Sequence, residues 1–415
     1  MTQKEKRITF VTPGHISSNP RLVKEAIAFS KAGYSVSIVF TQYVGYLVAH
    51  DNLILKQNPE WEVHSLNWTG STAVSKLIKT VSGLKNKIWQ AFSKVVKRPS
   101  MAARLMNRHL VWQIKMAVKT QPGLFIAHNL GALPVCGTAG KIKNISVAFD
   151  AEDYHRGEPF AETPGGWIVT TVENTWIPQC SLTWSASPGI GAAYRKLFPS
   201  ATFFPVLNVF PSSIQAQEAD ILTDGGSELK LFWFSQTVGT NRGLEDIFSA
   251  MGKIPEIPVS LTLLGSVSGE DKSALLDQVR TGGAKHEKIY FLSPVPENQL
   301  FRIAKTHAIG LALERNFPPN RDLCLTNKIF TYLSCGLSII YSETSAQTEF
   351  WNQNPESGFL YQPGDADSLA NWLKFLYLNP GELRKQRLSS LDLSEKMYNW
   401  ESESQKLLSV VNPFF

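Results

Sequence analysis

Between Val63 and Phe149 the chain has no aspartate and no glutamate. Thirteen of its 41 lysines and arginines fall in that stretch, which leaves 28 basic against 35 acidic side chains elsewhere, so one segment alone accounts for the net charge of +6. Cysteine is scarce as well. Cys136, Cys180, Cys324 and Cys335 are scattered without a CxxC pair, which argues against a zinc ribbon or a disulfide framework and suits a reducing cytoplasm. No apolar run approaches the ~20 residues that span a bilayer. The run after the polar Met1–Lys6 stops at Pro13, too short for a secretory segment. Walker A, HExxH and GxSxG sequences are missing, and Gly189-Ile190-Gly191 opens a dinucleotide fingerprint that fails at Tyr194. No NAD-type cofactor is expected.

What is present is core material: 43% apolar residues and 11 tryptophans in 415 residues, more than one hydrophobic core usually holds. Two domains are therefore expected. Ile8–Thr12, closed by Pro13-Gly14, reads as a strand; Pro20–Ala32 has helical spacing and ends at Gly33; Val36–Phe40 is the next strand. Leu124–Ala127, Val147–Phe149 and Leu182–Ser185 continue the series. After a polar connector at Gln215–Glu228 a second series starts, with strands at Leu229–Phe234, Val259–Leu264, Ile289–Leu292, Ile309–Leu313 and Ser338–Tyr341 separated by helical patterns. The alternation predicts α/β architecture with two doubly wound parallel sheets.

Ligands of such sheets bind beyond the carboxyl ends of the strands. Ile309–Tyr341 is the most informative unit, because it places Glu314 at a strand end and Asn327-Lys328 at a helix start, where backbone N–H groups and a lysine attract an anion. Ser235-Gln236-Thr237-Val238-Gly239-Thr240-Asn241-Arg242 makes a second small-residue loop whose arginine either clamps a diphosphate or pairs with Glu245 or Asp246; a phosphate-bearing ligand is expected. In the first unit Gly14 lets backbone approach a ligand, and Arg21, badly placed for the helix dipole, hints at an anionic partner. Asp150-Ala151-Glu152-Asp153 reads either as a cation site or as a loop that hydrogen-bonds hydroxyls.

Taken together, Gly14–Ala26 (GHISSNPRLVKEA), Ala127–Pro134 (AHNLGALP), Phe149–Glu158, Ser187–Ile190, Leu207–Pro211, Ser235–Asp246, Leu263–Ser266 and Thr326–Ile340 resemble GT-B glycosyltransferases, similar to glycosyltransferase family 4 (group 1). The resemblance implies two Rossmann-like domains facing a cleft, residues 1–205 holding an acceptor and 206–390 a nucleotide-sugar, with a C-terminal helix (391–415) returning to the first. It implies catalytic roles for His128 and Glu314; donor contacts from Gly14, Ser235, Gln236, Arg242, Leu292, Val295, Asn327 and Lys328; and acceptor contacts from Asn19, Arg21, Asn129, Glu152 and Asp153. Neither a metal nor a cofactor is implied, and retention of anomeric configuration is. The sequence departs from the family at the Glu-x7-Glu pair, whose positions hold Leu323 and Thr331, and at Thr237, where an arginine is usual. A nucleotide-sugar epimerase of the same fold stays open as a second enzyme class, and the missing Glu-x7-Glu pair keeps open a catalytically silent partner protein.

The acid-free segment contains a helix pattern. At about 100° per residue, Leu77, Val81, Leu84, Ile88, Phe92 and Val95 fall on one face and Lys76, Lys79, Lys87, Lys94, Lys97 and Arg98 on the other. Either the apolar face packs on the sheet, or residues 75–98 meet an anionic membrane; the lack of any acid favours the second. No nucleic-acid recognition module accompanies it. The expectation is a cytoplasmic enzyme, peripheral on the inner face of a membrane, moving a sugar to a saccharide or lipid-linked acceptor in surface polysaccharide or glycolipid assembly.

Overall fold

The computed structural model describes residues 6–218, 221 and 228–415, so most of the connector expected at Gln215–Glu228 lies outside the described residues. The chain forms two compact units: one runs to Val206 and takes in Ser404–Phe415, the other is Leu207–Glu403. The change-over therefore falls inside the helix Trp400–Val411, and the helix Pro380–Lys396 lies wholly in the second unit.

The first unit is built on seven parallel strands, β1 (Arg7–Val11), β2 (Ser35–Gln42), β3 (Glu62–Asn67), β4 (Leu124–His128), β5 (Ser146–Ala151), β6 (Leu182–Ser185) and β7 (Phe203–Pro205), in the order β3-β2-β1-β4-β5-β6-β7. Helices cover both faces of such a sheet, so its central strands are continuous apolar runs: Phe10, Ile38, Phe125, Ile126 and Phe149 have no exposed surface. The helix Pro20–Lys31 starts sharply because Asn19 Oδ1 accepts the Leu22 N–H at 3.0 Å and Pro20 fixes the first φ. It stops where Gly33 takes φ +84°. The C-terminal segment packs in this unit: Phe415 lies edge-on to Tyr34 at 5.2 Å and Asn412 Oδ1 accepts from Lys6 Nζ at 2.7 Å.

The second unit has six parallel strands, β8 (Leu229–Thr237), β9 (Val259–Ser266), β10 (Ile289–Leu292), β11 (Ile309–Ala312), β12 (Ser338–Ser342) and β13 (Gly358–Tyr361), in the order β10-β9-β8-β11-β12-β13. Trp233, Leu244, Leu261, Leu311 and Ile340 belong to its core. In each sheet the strand order reverses once, at β1/β4 and at β8/β11, and a reversal opens a crevice at the carboxyl ends of the two strands.

One helix departs from the usual arrangement. Ala73–Ser93 is opened by a reciprocal Thr72–Ser75 capping box, yet its apolar side does not pack on the sheet: Leu77, Val81, Leu84, Ile88 and Phe92 are all exposed. The attached flank is a mixed one, Ser75, Ile78, Ser82 and Trp89, fixed by the Arg108 Nε bond to Ser82 Oγ (2.9 Å) and the Lys79 Nζ bond to the Thr69 carbonyl (3.0 Å).

Candidate functional site

The crevice between β8 and β11 collects the second unit's candidates around one indole. β8 is bulged between Phe234 and Thr237, and this turns Ser235 so that its Oγ accepts from Arg242 Nη2 at 2.7 Å. Trp233, fully buried one strand position before Phe234, has the Arg242 guanidinium 5.9 Å and the Lys328 ammonium 5.6 Å from its ring centroid, within cation–π range. Lys328 donates to Glu314 Oε1 at 2.5 Å, and the Glu314 backbone N–H is held by Ser342 Oγ at 2.8 Å. Two cations and a carboxylate from three chain segments thus meet at one point.

Arg242 does not pair with Glu245 or Asp246. Arg315 takes both of those acids, and Arg321 reaches the Asn241 carbonyl at 3.3 Å, so the loop after Glu314 closes over the start of the helix Leu244–Lys253. Gly243 makes that turn possible: its φ is +78°, and a Cβ there would stand 3.0 Å from Leu313 Cβ. Burial pulls the Arg242 pKa down, with Glu314 working against it and Arg321 adding to it. The Nε of Arg242 and the Oγ1 of Thr326, which caps the helix Asn327–Ser334 without a side-chain bond, are both buried with no hydrogen-bond partner among the described residues. A buried donor and a buried hydroxyl at a helix N-terminus, beside two cations, are groups whose chemistry suits an anion.

The other donor-side residues lie further out. Asn327 is exposed and its Oδ1 accepts from Asn208 at 2.8 Å; Gln236 is exposed; Leu292 ends β10 with its side chain open to solvent, and Val295 is half-buried three residues on. Gly14 belongs to the first unit, where a Cβ on it would meet the Tyr43 ring at 3.2 Å.

The crevice between β1 and β4 holds a buried charge cluster. His128, at the end of β4, bonds through Nε2 to Glu25 Oε2 (3.1 Å) and through Nδ1 to Glu152 Oε1 (3.0 Å), with Asp150 Oδ2 3.3 Å away. Burial alone would lower its pKa, but Glu25, Glu152 and Asp150 overcome it and raise the value to about 10. The ring is an imidazolium with both nitrogens engaged and has no lone pair for an incoming proton, so it does not fit a general base. Arg21 is likewise no free acceptor contact: it is 3% exposed, bidentate on Asp150 (2.5 and 2.9 Å), and donates to the Val206 carbonyl at 2.7 Å. Its anionic partner is inside the fold.

Glu152 is different. A fifth of its side chain is exposed, and although burial opposes it, bonds from His128 and from Asn19 Nδ2 (2.7 Å) lower its pKa and keep it a carboxylate. Asn129 is exposed in a left-handed turn (φ +71°), and Asp153 is half-buried, its carbonyl accepting from Tyr194 at 3.3 Å. Glu25, His128 and Asp150 present ligand atoms within 4.8 Å of one another, the spacing of a metal site; here Arg21 and the imidazolium supply the positive charge among them.

Sequence reading missed Glu25 and Trp233, and gave Asp150 no part in holding Arg21 and His128. Glu25 carried a signal, since it sits between Leu22, Ala26 and Phe29 on the buried face of its helix, where an acid needs a partner. Trp233 looked like core, and it is core on one side.

Residues 245–409 match a family model described as glycosyl transferase-like. No curated protein sequence matches the chain. Among solved structures, the chain is similar to Anabaena Alr3699/HepE in complex with UDP (13% identity, 98% of this chain and 100% of that one, TM-score 0.69). It is similar to the sucrose-phosphate synthase of Thermosynechococcus elongatus (14%, 99% of each chain, TM-score 0.69) and to S. aureus TarM in complex with fondaparinux, alpha-GlcNAc-glycerol and UDP (11%, 98% and 100%, TM-score 0.66). At these identities the likeness shows the fold, which is GT-B.

Proposed function

We propose that the protein is a glycosyltransferase, close in kind to family 4, that moves a sugar from a nucleotide-sugar to a saccharide or lipid-linked acceptor in surface polysaccharide or glycolipid assembly on the inner face of a membrane. The observation that carries this reading is the convergence of Arg242 and Lys328 on Trp233, beside a helix N-terminus whose Thr326 hydroxyl has no partner among the described residues. A nucleoside diphosphate needs such a place. When the bond from anomeric carbon to phosphate oxygen breaks, its electron pair leaves on the diphosphate, and fixed cations with oriented N–H groups stabilise that charge without reorganising. HepE and TarM have been solved with UDP, which favours a uridine nucleotide as the first donor to try.

The acceptor oxygen forms the new bond to the anomeric carbon, and its proton goes to a base. Glu152 suits that task better than His128, being ionised and partly exposed. His128 then acts as a positioning residue, holding the Glu152 carboxylate. Glu314 orients Lys328 from its buried place.

A thermal-shift panel of nucleotide-sugars tests the reading, because a ligand that binds only the folded state raises the melting temperature. One donor is expected to give a shift that Arg242→Ala and Lys328→Ala each abolish. A shift unchanged in both variants would remove the diphosphate from this site. Conversion of the donor with no acceptor present would indicate the epimerase instead.

A further inference from the structure

The helix Ala73–Ser93 is attached by the flank of Ser75, Ile78, Ser82 and Trp89 and not by its stripe of Leu77, Leu84 and Phe92. Arg108 and Lys79 fix it to the unit through Ser82, the Lys79 carbonyl and the Thr69 carbonyl, and Arg104 stacks 4.9 Å over Trp89. Its apolar stripe is left outward: Leu77 is 64% exposed, Leu84 63% and Phe92 57%. A solvated stripe on a stably folded helix is costly, since each such side chain gains by leaving water.

Between this helix and Leu110–Lys119 runs a groove of about 780 Å³ with walls of Leu77, Val81, Ile88, Trp89, Val111 and Trp112. Lys85, Arg104 and Lys115 line its rim. At one end stand Arg108 and His109. Burial, helped by Arg108, lowers the His109 pKa to about 4, so the ring is neutral near pH 7, and its Nε2 is buried without a partner among the described residues. The groove is therefore apolar along its length, cationic at its edges, and closed at one end by an unfilled polar atom. We infer that it seats the hydrocarbon tail of a phosphate-headed lipid drawn from an anionic membrane, with the headgroup toward Arg108 and His109.

The charge pattern selects this occupant. The surrounding stretch from Val63 to Phe149 has no acid, so a second copy would bring like charge against like. Nucleic acid would satisfy the lysines and leave the leucines wet. From the headgroup end an aromatic series leads along the sheet edge: His109 to Trp68 (4.8 Å), Trp68 to Tyr43 (5.5 Å), Tyr43 to His15 (5.0 Å), with Gly14 against the Tyr43 ring. If the lipid carries the acceptor, a step that rests on the proposed sugar transfer, its head lies on the path to Gly14 and the lipid-linked class is the substrate.

The test uses the full chain and vesicles, with no sugar nucleotide. Co-flotation is expected with vesicles containing phosphatidylglycerol and not with pure phosphatidylcholine, and phosphatidylglycerol brominated on its chains is expected to quench tryptophan fluorescence. Trp89→Phe with Trp112→Phe should remove that quenching. Leu77→Ser with Ile88→Ser should lower recovery about tenfold or more with an unchanged melting curve, both side chains being exposed already. Equal recovery on both vesicle types, quenching that survives the double Trp→Phe change, or a concentration-dependent dimer that Leu77→Ser with Ile88→Ser abolishes while no lipid binds, would each overturn the proposal. Lipid binding that persists when no nucleotide-sugar binds sinks the transfer reading and leaves the groove; the reverse result does the opposite.

Discussion

The His128 cluster gives the first unit a pH dependence whose sign and window are fixed by its geometry. Three carboxylates within 3.3 Å raise the imidazolium pKa to about 10, from an ordinary value near 6.5. Because the folded value lies above the unfolded one, the stabilisation is complete below pH ~6.5 and is lost as pH rises toward 10. In that window the folded state holds one proton that the unfolded state has released, worth about 1.4 kcal/mol per pH unit. Asp150, whose pKa burial raises to about 7 despite Arg21, acts in the same direction below that value. Above pH ~8.5 the thiols of Cys136 and Cys180, which burial also raises, add a fall of their own as they ionise in the unfolded chain. The window from 6.5 to 8.5 avoids the thiols, while Asp150 and His155, both raised, add falls of the same sign, so the His128 share is read as the difference between wild type and His128→Gln. Over it the unit should lose about 2 kcal/mol, or roughly 5–10 °C of melting temperature for a unit of this size. Scanning calorimetry across that range, on wild type and His128→Gln, reads the effect; the variant is less stable throughout but should have a flatter slope. A wild-type curve that is level from pH 6.5 to 8.5, or an equal slope in the variant, refutes the charge assignment and restores His128 as a neutral ring able to take a proton.

Glu152→Gln should lower kcat by about 10²- to 10⁴-fold with donor affinity unchanged, as judged by steady-state kinetics beside calorimetric titration of the nucleotide-sugar; an unchanged kcat moves the base elsewhere. Gly243→Ala forces a side chain into φ +78° and against Leu313 Cβ. A loss of about 1–3 kcal/mol in the second unit's urea unfolding is expected, with weakened donor binding because Arg242 precedes the turn; a neutral substitution would mean the turn relaxes freely.

How much of this was legible in the sequence depended on what each element buries. Central strands such as β1, β4 and β11 were readable because a parallel strand covered on both faces is a continuous apolar run. The edge strand β3, EVHSLN, is half-buried and polar, so it carries no such run, and it went unread together with the helix Leu47–Gln57, whose one buried residue is Asp51. The edge strands β7 (FFP) and β13 (GFLY) are apolar but only three and four residues long, too short to show a period. That Arg242, Lys328 and Glu314 share one crevice was legible because small-residue loops at strand ends mark it, but Trp233, which Arg242 and Lys328 both approach, was hidden inside an apolar run that any core strand would show. The basic helix misleads in another way. Periodicity identifies an apolar face and is silent about what that face meets, and here a neighbouring mixed flank makes the tertiary contacts.

Arg21 and Lys328 show why site residues are harder to read than elements. Both sit in the first turn of a helix near the switch point of its sheet, where the helix dipole disfavours a cation, so both raise the same expectation of an anion. Each is answered by a carboxylate from a neighbouring strand end, Asp150 in β5 for the first and Glu314 after β11 for the second. The number of donors left open separates the two. Arg21 gives Nε and Nη2 to Asp150 and Nη1 to the Val206 carbonyl, with Glu25 3.7 Å away, so its fork is filled by the fold. Lys328 gives one bond to Glu314 and rests on the face of Trp233, next to an Arg242 whose Nε is unfilled and a Thr326 hydroxyl with no partner among the described residues. An anion arriving at Arg21 would have to displace bonds already made, whereas one arriving beside Lys328 completes bonds that are missing. Depth of burial and strength of pairing would rank Arg21 first as a ligand contact; counting open donors reverses that order and is why the proposed diphosphate falls to the second sheet.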